Sequence, residues 1–319
     1  MRHPGRAGTA LTRRIGTVLA ALVGAGSLVA CGPTGAVSST VPGPGATAST
    51  VAGVVAAPTS PRTATVSPPG HRPDHIVVVI LENKASAQID GSPSAPYLNS
   101  LMTNSAVLTQ SRAVAHPSEP NYLALFSGST HNVTDDRCPL ALGAQPNLGR
   151  QLMDAGLSFA GYSEGLPSVG FTGCSSGRYA AKHNPWIDFT NLPSSVNQPA
   201  SAFPSDYTKL PTVAFLIPDL CNDMHDCSVG TGDSWMRDHI DSYARWARAN
   251  NSLLVVTFDE DDNASDNRIL TFVSGAGVRP GRYGQPVDHY GVLATIEDLY
   301  GLNRLGSAAT ATPIAGIWR

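Results

Sequence analysis

Three runs in this chain, HIVVVI (75–80), TVAFLI (212–217) and LLVVTF (253–258), are β-branched and apolar almost without interruption. A strand that is apolar on both faces must be covered on both faces, which is the situation of a parallel sheet between layers of helix. ILTFV (269–273) reads as a further strand. GDSWMRDHIDSYARWARANN (232–251) sets Trp235, Ile240, Tyr243, Trp246 and Ala247 at helical spacing with Arg and Asp on the other face. PYLNSLMTNS, NLGRQLMDAG and GVLATIEDLYG read as further helices, the last two closing on glycine. This alternation predicts a single-domain α/β fold with a mostly parallel central sheet flanked by helices, and sheets of that kind bind ligands beyond the carboxyl ends of their strands.

Polar residues collect at those ends. HIVVVI runs into Leu81-Glu82-Asn83, TVAFLI into Pro218-Asp219 and then Asn222-Asp223-Met224-His225-Asp226, and LLVVTF into Asp259-Glu260-Asp261-Asp262. One acidic loop is usually a solvated turn. Three delivered to one sheet edge repel one another unless protonated or bridged by a cation, so the pattern predicts a metal-assembled site. Its donors offer only oxygen, which suits Mg²⁺, Ca²⁺ or Mn²⁺ better than a thiolate zinc site. A serine joins them. In HPSEPNYLALFSG (116–128), Pro117 and Pro120 restrict the backbone around Ser118 just before an apolar run, a rigid turn entering a core element.

The N-terminal part has other business. Arg2, Arg6, Arg13 and Arg14 precede IGTVLAALVGAGSLVA, too short and glycine-broken for a comfortable span and suited to a signal-peptide core, and Leu28-Val29-Ala30-Cys31 resembles a bacterial lipobox in which Cys31 is acylated. Residues 1–31 are therefore expected to be a lipoprotein signal, and 32–70, almost wholly Gly, Pro, Ala, Ser, Thr and Val, a disordered tether. Such a tether reaches on the order of 35 Å, enough to hold a folded domain over residues 71–319 clear of a membrane. The protein is expected outside the cytoplasm, held by its lipid or released, as a monomer. With 21 Lys and Arg against 24 Asp and Glu and no basic tract, nucleic acid is excluded as a partner.

Four cysteines follow Cys31. In an exported chain they predict two disulfides, Cys221 with Cys227 closing a short loop and Cys138 with Cys174, against a zinc site that lacks any CxxC pair. Two motifs mislead. DEDDNASDNRIL opens like an EF-hand loop but has Ala264 where the turn needs glycine and Leu270 where the bidentate Glu belongs. Gly173-Cys174-Ser175-Ser176-Gly177 matches G-x-S-x-G, and Ser175, Asp259 and His289 follow the chain order of a hydrolase triad, but no β-run precedes Ser175. A serine esterase using Ser175 is the alternative reading; a phospholipase C and a non-catalytic, metal-stabilised surface binding module are the others.

The segments VVVILEN, HPSEPNYLALFSG, NDMHD followed by GDSW, NNSLLVVTFDEDD and DHYGVLATIEDLYGL occur in this order across residues 75–301. Together they resemble the bacterial phosphoesterase family of acid phosphatases and phospholipases C within the alkaline-phosphatase-like superfamily, and in particular its secreted mycobacterial members. The resemblance implies an alkaline-phosphatase-like fold and an acid phosphatase acting on phosphorylated small molecules or lipid head groups. It implies that Glu82, Asn83, Ser118, Asp259 and Glu260 line a metal centre, that Ser118 attacks phosphorus to give a phosphoserine, and that His116, His225 and His289 contact the phosphate or protonate the leaving group. Two-metal relatives carry a histidine where Glu260 stands and a D-x-x-x-H pair after the preceding strand. Here Asp219 and Asp223 compete for that Asp role, with Asp223 and Asp226 as possible second-site or phosphate contacts, and one ion is favoured over two.

Overall fold

The computed structural model describes residues 72–263 and 266–319, all within one compact unit, Arg62–Arg319. The expected signal peptide, Cys31 and the tether lie outside the described residues. The strands are β1 (His75–Leu81), β2 (Ala106–Ser111), β3 (Phe159–Ser163), β4 (Ser175–Ser176), β5 (Tyr179–Ala180), β6 (Asn197–Pro199), β7 (Val213–Ile217), β8 (Ser252–Phe258), β9 (Thr271–Gly275) and β10 (Gly281–Val287). The α-helices are α1 (Ser86–Ile89), α2 (Pro96–Met102), α3 (Ser118–Ser127), α4 (Leu148–Asp154), α5 (Val229–Ala249) and α6 (His289–Tyr300).

Eight strands form the central sheet in the order β10-β2-β9-β8-β1-β7-β3-β6, and β4 with β5 makes a separate hairpin. β1 lies between β7 and β8 and is parallel to both, Val78 standing opposite Phe215 on one side and Val255 on the other. The unbroken apolar runs are explained by alternate burial. Ile76, Val78 and Ile80 enter a core shared with α3 and α6, while Val77, Val79 and Leu81 enter a second core under α5. α5 buries Trp235, Met236, Ile240, Tyr243, Ala244 and Ala247, so Met236 and Ala244 take the place expected for Trp246, which is only partly buried. Ser228 caps that helix, its side chain accepting from the Thr231 N–H.

The expected fourth strand exists but runs antiparallel to both β8 and β2. A parallel return needs a crossover of a dozen or more residues, usually helical, and the segment after β8 spends its length on acidic loop residues instead. Because β9 reverses direction twice over, β2 ends at the same sheet edge as β1, β7 and β8. The residues after β2 lead directly to Ser118.

Two buried carboxyl groups outside the strand-end loops set a pH dependence. Burial, with the charge of Glu119 added for Asp188, pushes Asp188 up to about 8; burial, partly offset by the Leu305 N–H and Arg304, does the same for Glu297. A folded state that holds these protons above the unfolded value of about 4 loses stability as pH rises from about 4 through 8. The Tm of metal-free protein is therefore expected to be higher at pH 5 than at pH 8, with a shallower fall in Glu297→Gln. A Tm that rises over this interval contradicts the assignment.

Candidate active site

Ser118 is the first residue of α3, and all ten residues of that helix are buried. Pro117 stands before the helix in extended conformation, and Pro120 falls in the first turn, where a missing N–H costs no hydrogen bond. Asn121 clasps the approach: its Oδ1 accepts from the Val114 and Ala115 N–H groups at 3.0 Å, and its Nδ2 donates to the Ala115 and Pro117 carbonyls at 3.0 and 3.2 Å. The serine is thus held by a side chain as well as by prolines. Its hydroxyl donates to Glu82 Oε2 at 3.0 Å and stands 3.4 Å from Glu260 Oε1.

Glu82 and Asn83 follow β1. Asn83 has φ 49°, in the left-handed region that Asn tolerates better than most residues, and this turn aims its N–H at Asp259 Oδ1, 3.1 Å away. Glu82, Asp259 and Glu260 are all buried, at 0, 1 and 5% exposure, figures at which unpaired charge is not tolerated. Burial, followed by the charges of Glu82 and Glu260, raises Asp259 well above the usual carboxylate range. Burial, Glu82 and Asp136 push Glu260 up to about 8.

A second group shares Glu82. The buried ligand atoms of Glu82, His183 and Asp223 lie within 4.8 Å of one another, a grouping able to hold a metal ion. His183 Nε2 is 3.0 Å from Glu82 Oε1 and His183 Nδ1 is 3.4 Å from Asp223 Oδ2. The Nε2 approach is ionic, without hydrogen-bond alignment. Burial works against charge on His183, but Glu82 and Asp223 raise it to about 10. Burial likewise opposes charge on Glu82, yet His183 and the Tyr122 hydroxyl, donating at 2.6 Å, hold Glu82 at about 2. Asp223 goes up to about 6 through burial.

His183 was not singled out by its sequence. It lies in a 3-10 turn, Ala181–His183, that follows no long strand. The signal available was the string KHNPW: Asn184 bonds Ser163 and Tyr179 at 2.8 and 3.0 Å, and Trp186 packs so tightly on β3 that a Cβ at Gly161 would stand 2.2 Å from its indole. Those anchors fix the histidine between them and the hairpin.

The other expected residues divide. His116 abuts Glu260 through Nδ1 and lies 3.4 Å from Asp261 through Nε2, with a third of its side chain open to solvent. His225 Nδ1 is 2.7 Å from Asp226 Oδ1, so Asp226 orients the ring and Nε2 faces Lys182 at 3.5 Å. Asp223 Oδ1 accepts the His225 N–H at 2.7 Å. Asp219 is a loop residue, accepting the Cys221 and Asn222 N–H groups at 3.0 Å, and of the two competing residues it is Asp223 that joins the Glu82–His183 group. His289 is placed differently from its expected role. It is buried, with Nε2 2.6 Å from the Asp259 carbonyl, where it supports the loop and does not face open space.

Both disulfides form, Cys138–Cys174 and Cys221–Cys227. The zinc reading of these cysteines is therefore set aside. Ser175 is exposed on two-residue β4 beside Cys174, and no described residue hydrogen-bonds its side chain, so the triad geometry an esterase needs is not assembled around it.

The residues fit a cation. Asn83 Oδ1, Asp259 Oδ2 and Asp223 Oδ2 are buried yet accept no hydrogen bond from any described residue, and Asp259 and Glu260 are driven toward protonation by burial and by their acidic neighbours. A bound cation would use these free lone pairs and relieve that repulsion. Beyond the expected all-oxygen set, His183 adds a nitrogen.

Comparison with known proteins identifies the family. The Phosphoesterase family matches residues 92–303. A phosphatidylinositol-3-phosphatase of Mycobacterium tuberculosis is 52% identical over 246 residues, 76% of this chain and 82% of that protein. A probable acid phosphatase of Kluyveromyces lactis is 30% identical over 254 residues, 72% of this chain, which spans 58% of the yeast protein. Among solved structures, a member of the alkaline phosphatase superfamily from Vibrio parahaemolyticus superposes with a TM-score of 0.53 at 15% identity, over 77% of this chain and 71% of that one. The chain belongs to the Phosphoesterase family and is a hydrolase of phosphoric esters with an alkaline-phosphatase-like fold.

Proposed function

We propose that the protein is an extracytoplasmic, metal-dependent acid phosphatase that hydrolyses phosphomonoesters, phosphoinositide head groups among them, through a phosphoserine on Ser118. The observation that carries this is the Ser118 hydroxyl, fixed at a buried helix N-terminus against Glu82 and Glu260 beside carboxylate and amide oxygens that lack partners. The names of the mycobacterial and yeast relatives support the substrate class. Two disulfides and the lipobox-like N-terminus support export, and no helix among the described residues is long and apolar enough to cross a membrane.

Glu82, Asn83, Asp259 and Glu260, with the Ser118 oxygen, would hold one divalent ion, while Glu82, His183 and Asp223 form an adjoining group in which a charged imidazole already neutralises part of the acid. When bound there, the ion would supply Lewis-acid activation of the hydroxyl and charge neutralisation at the phosphoryl oxygens. Ser118 passes its proton to the carboxylate it faces and attacks phosphorus, and the P–O bond to the leaving alcohol breaks. The α3 N-terminus favours the negative phosphoryl group beside it. His225, oriented by Asp226, and half-open His116 are placed to return a proton to the leaving oxygen, and His289 holds the Asp259 main chain in register. Water then cleaves the phosphoserine, releasing phosphate and the free hydroxyl.

The test is to assay purified protein on p-nitrophenyl phosphate, bis(p-nitrophenyl) phosphate and p-nitrophenyl acetate, with and without chelator. Monoesterase activity that disappears with chelator and returns with a divalent ion is expected. Undiminished turnover in excess chelator contradicts the proposal, and hydrolysis of the acetate alone would turn the assignment toward the esterase.

A further inference from the structure

Beside the catalytic group lies a lysine that nothing above has used. Lys182, in the same 3-10 turn as His183, donates from Nζ to Asp136 Oδ2 at 2.8 Å and stands 3.5 Å from His225 Nε2. The other oxygen of Asp136 accepts the Glu119 N–H at 3.0 Å, in the first turn of α3, one residue after Ser118. The line Ser118-Glu119-Asp136-Lys182-His225 thus runs from the nucleophile to the candidate proton donor along one rim. The side chains of Lys182 and Asp136 are 18% and 27% exposed, so the ion pair is held at the rim and is not sealed in the interior.

The charge balance gives this lysine a task. A phosphomonoester dianion approaches Glu82, Asp223, Asp259, Glu260, Glu119 and Asp136, and the bound ion and His183 offset only the innermost of these. Other cations close by are committed elsewhere. Lys84 Nζ is spent on the carbonyls of Asn83 and Met224 at 3.1 and 2.8 Å, and Arg112 is paired with Asp266. Lys182 differs from both: its carboxylate partner is tied to the first turn of α3 through the Glu119 N–H, and a phosphoryl oxygen can replace that partner with like chemistry, one anionic oxygen for another.

We propose that Lys182 is a phosphate clamp, its ammonium binding a non-bridging oxygen of the substrate phosphoryl group, with Asp136 as the positioning residue that ties it to the helix carrying Ser118. A monoester presents one more anionic non-bridging oxygen than a diester, so the clamp favours monoesters. The inference rests on the reading of Ser118 as the nucleophile.

A contact to an oxygen charged in both ground and transition states acts mainly on binding. In Lys182→Gln, the Ki of inorganic phosphate and the KM for p-nitrophenyl phosphate should both rise about tenfold or more, with a smaller change in kcat and a smaller KM rise for bis(p-nitrophenyl) phosphate. Lys182→Arg should recover most of the phosphate affinity. Asp136→Asn/Lys182→Gln removes both charges together and leaves no buried ion unpaired, so it separates binding from folding. If Lys182 served only to neutralise Asp136, this double variant would regain wild-type phosphate affinity; the clamp predicts that it stays weak. A phosphate Ki within about twofold of wild type in Lys182→Gln or in the double variant overturns the inference. Should the wild-type protein lack monoesterase turnover, the reading of Ser118 falls instead, and calorimetric phosphate binding to the same variants still decides the role of Lys182.

Discussion

Ser118→Ala lowers kcat for a phosphomonoester by at least about 10³-fold while the fold and the bound ion persist, because the nucleophile is removed from a site whose other donors remain. The surroundings argue for persistence of the fold. The hydroxyl gives one hydrogen bond, to Glu82 Oε2, and that carboxylate keeps Tyr122 and His183 as partners. The start of α3 is held by Asn121 and not by Ser118 itself. Kinetics of Ser118→Ala beside far-ultraviolet circular dichroism and metal content check this. Turnover within about tenfold of wild type would mean that another group attacks phosphorus.

Glu82→Gln and Asp259→Asn each lower turnover and metal affinity by about a hundredfold or more, since each removes a charged oxygen at nearly constant volume. Their effects on the metal-free fold differ in sign. Glu82 is the held-ionised partner of His183, so its loss leaves the buried imidazolium with Asp223 alone and Tm falls. Asp259 is forced above the usual carboxylate range by burial, with the charges of Glu82 and Glu260 added, and Asn at this position keeps an acceptor for the Asn83 N–H. Metal-free Asp259→Asn should therefore melt no lower than wild type near pH 7. Metal titrations by calorimetry with parallel melting curves measure both parts, and equal loss of Tm in the two variants would contradict the charge account.

The parallel core of the sheet was legible because β1, β7 and β8 are buried on both faces and spell this out residue by residue. β9 was legible as a strand but not in direction, which depends on the loop after β8 and not on its own residues. β10, GRYGQPV, carries no strand pattern at all. Its glycines and Pro286 survive because it lies at the sheet edge, where one side of the ladder needs no donor. The candidate site followed the same division. Glu82, Asn83, Asp259 and Glu260 stand directly after predicted strands and could be placed by counting, as could Ser118 through its prolines. His183 and Lys182 come from a short turn whose position is set by Trp186, Asn184 and the Cys138–Cys174 bridge, long-range contacts that leave no periodic trace. His289 was read as a phosphate contact or proton donor from the family resemblance. Its burial and the approach of its Nε2 to the Asp259 carbonyl depend on the packing of α6 against the loop after β8 and leave no mark in the sequence.

The central claim is that Ser118 carries the phosphoryl group between substrate and water. Wild-type protein turning over a ³²P-labelled phosphomonoester, quenched in acid and digested, should yield label on the peptide spanning HPSEPNYLALFSG, and Ser118→Ala none. Label absent from that peptide in wild type, with steady turnover retained by Ser118→Ala, would contradict it.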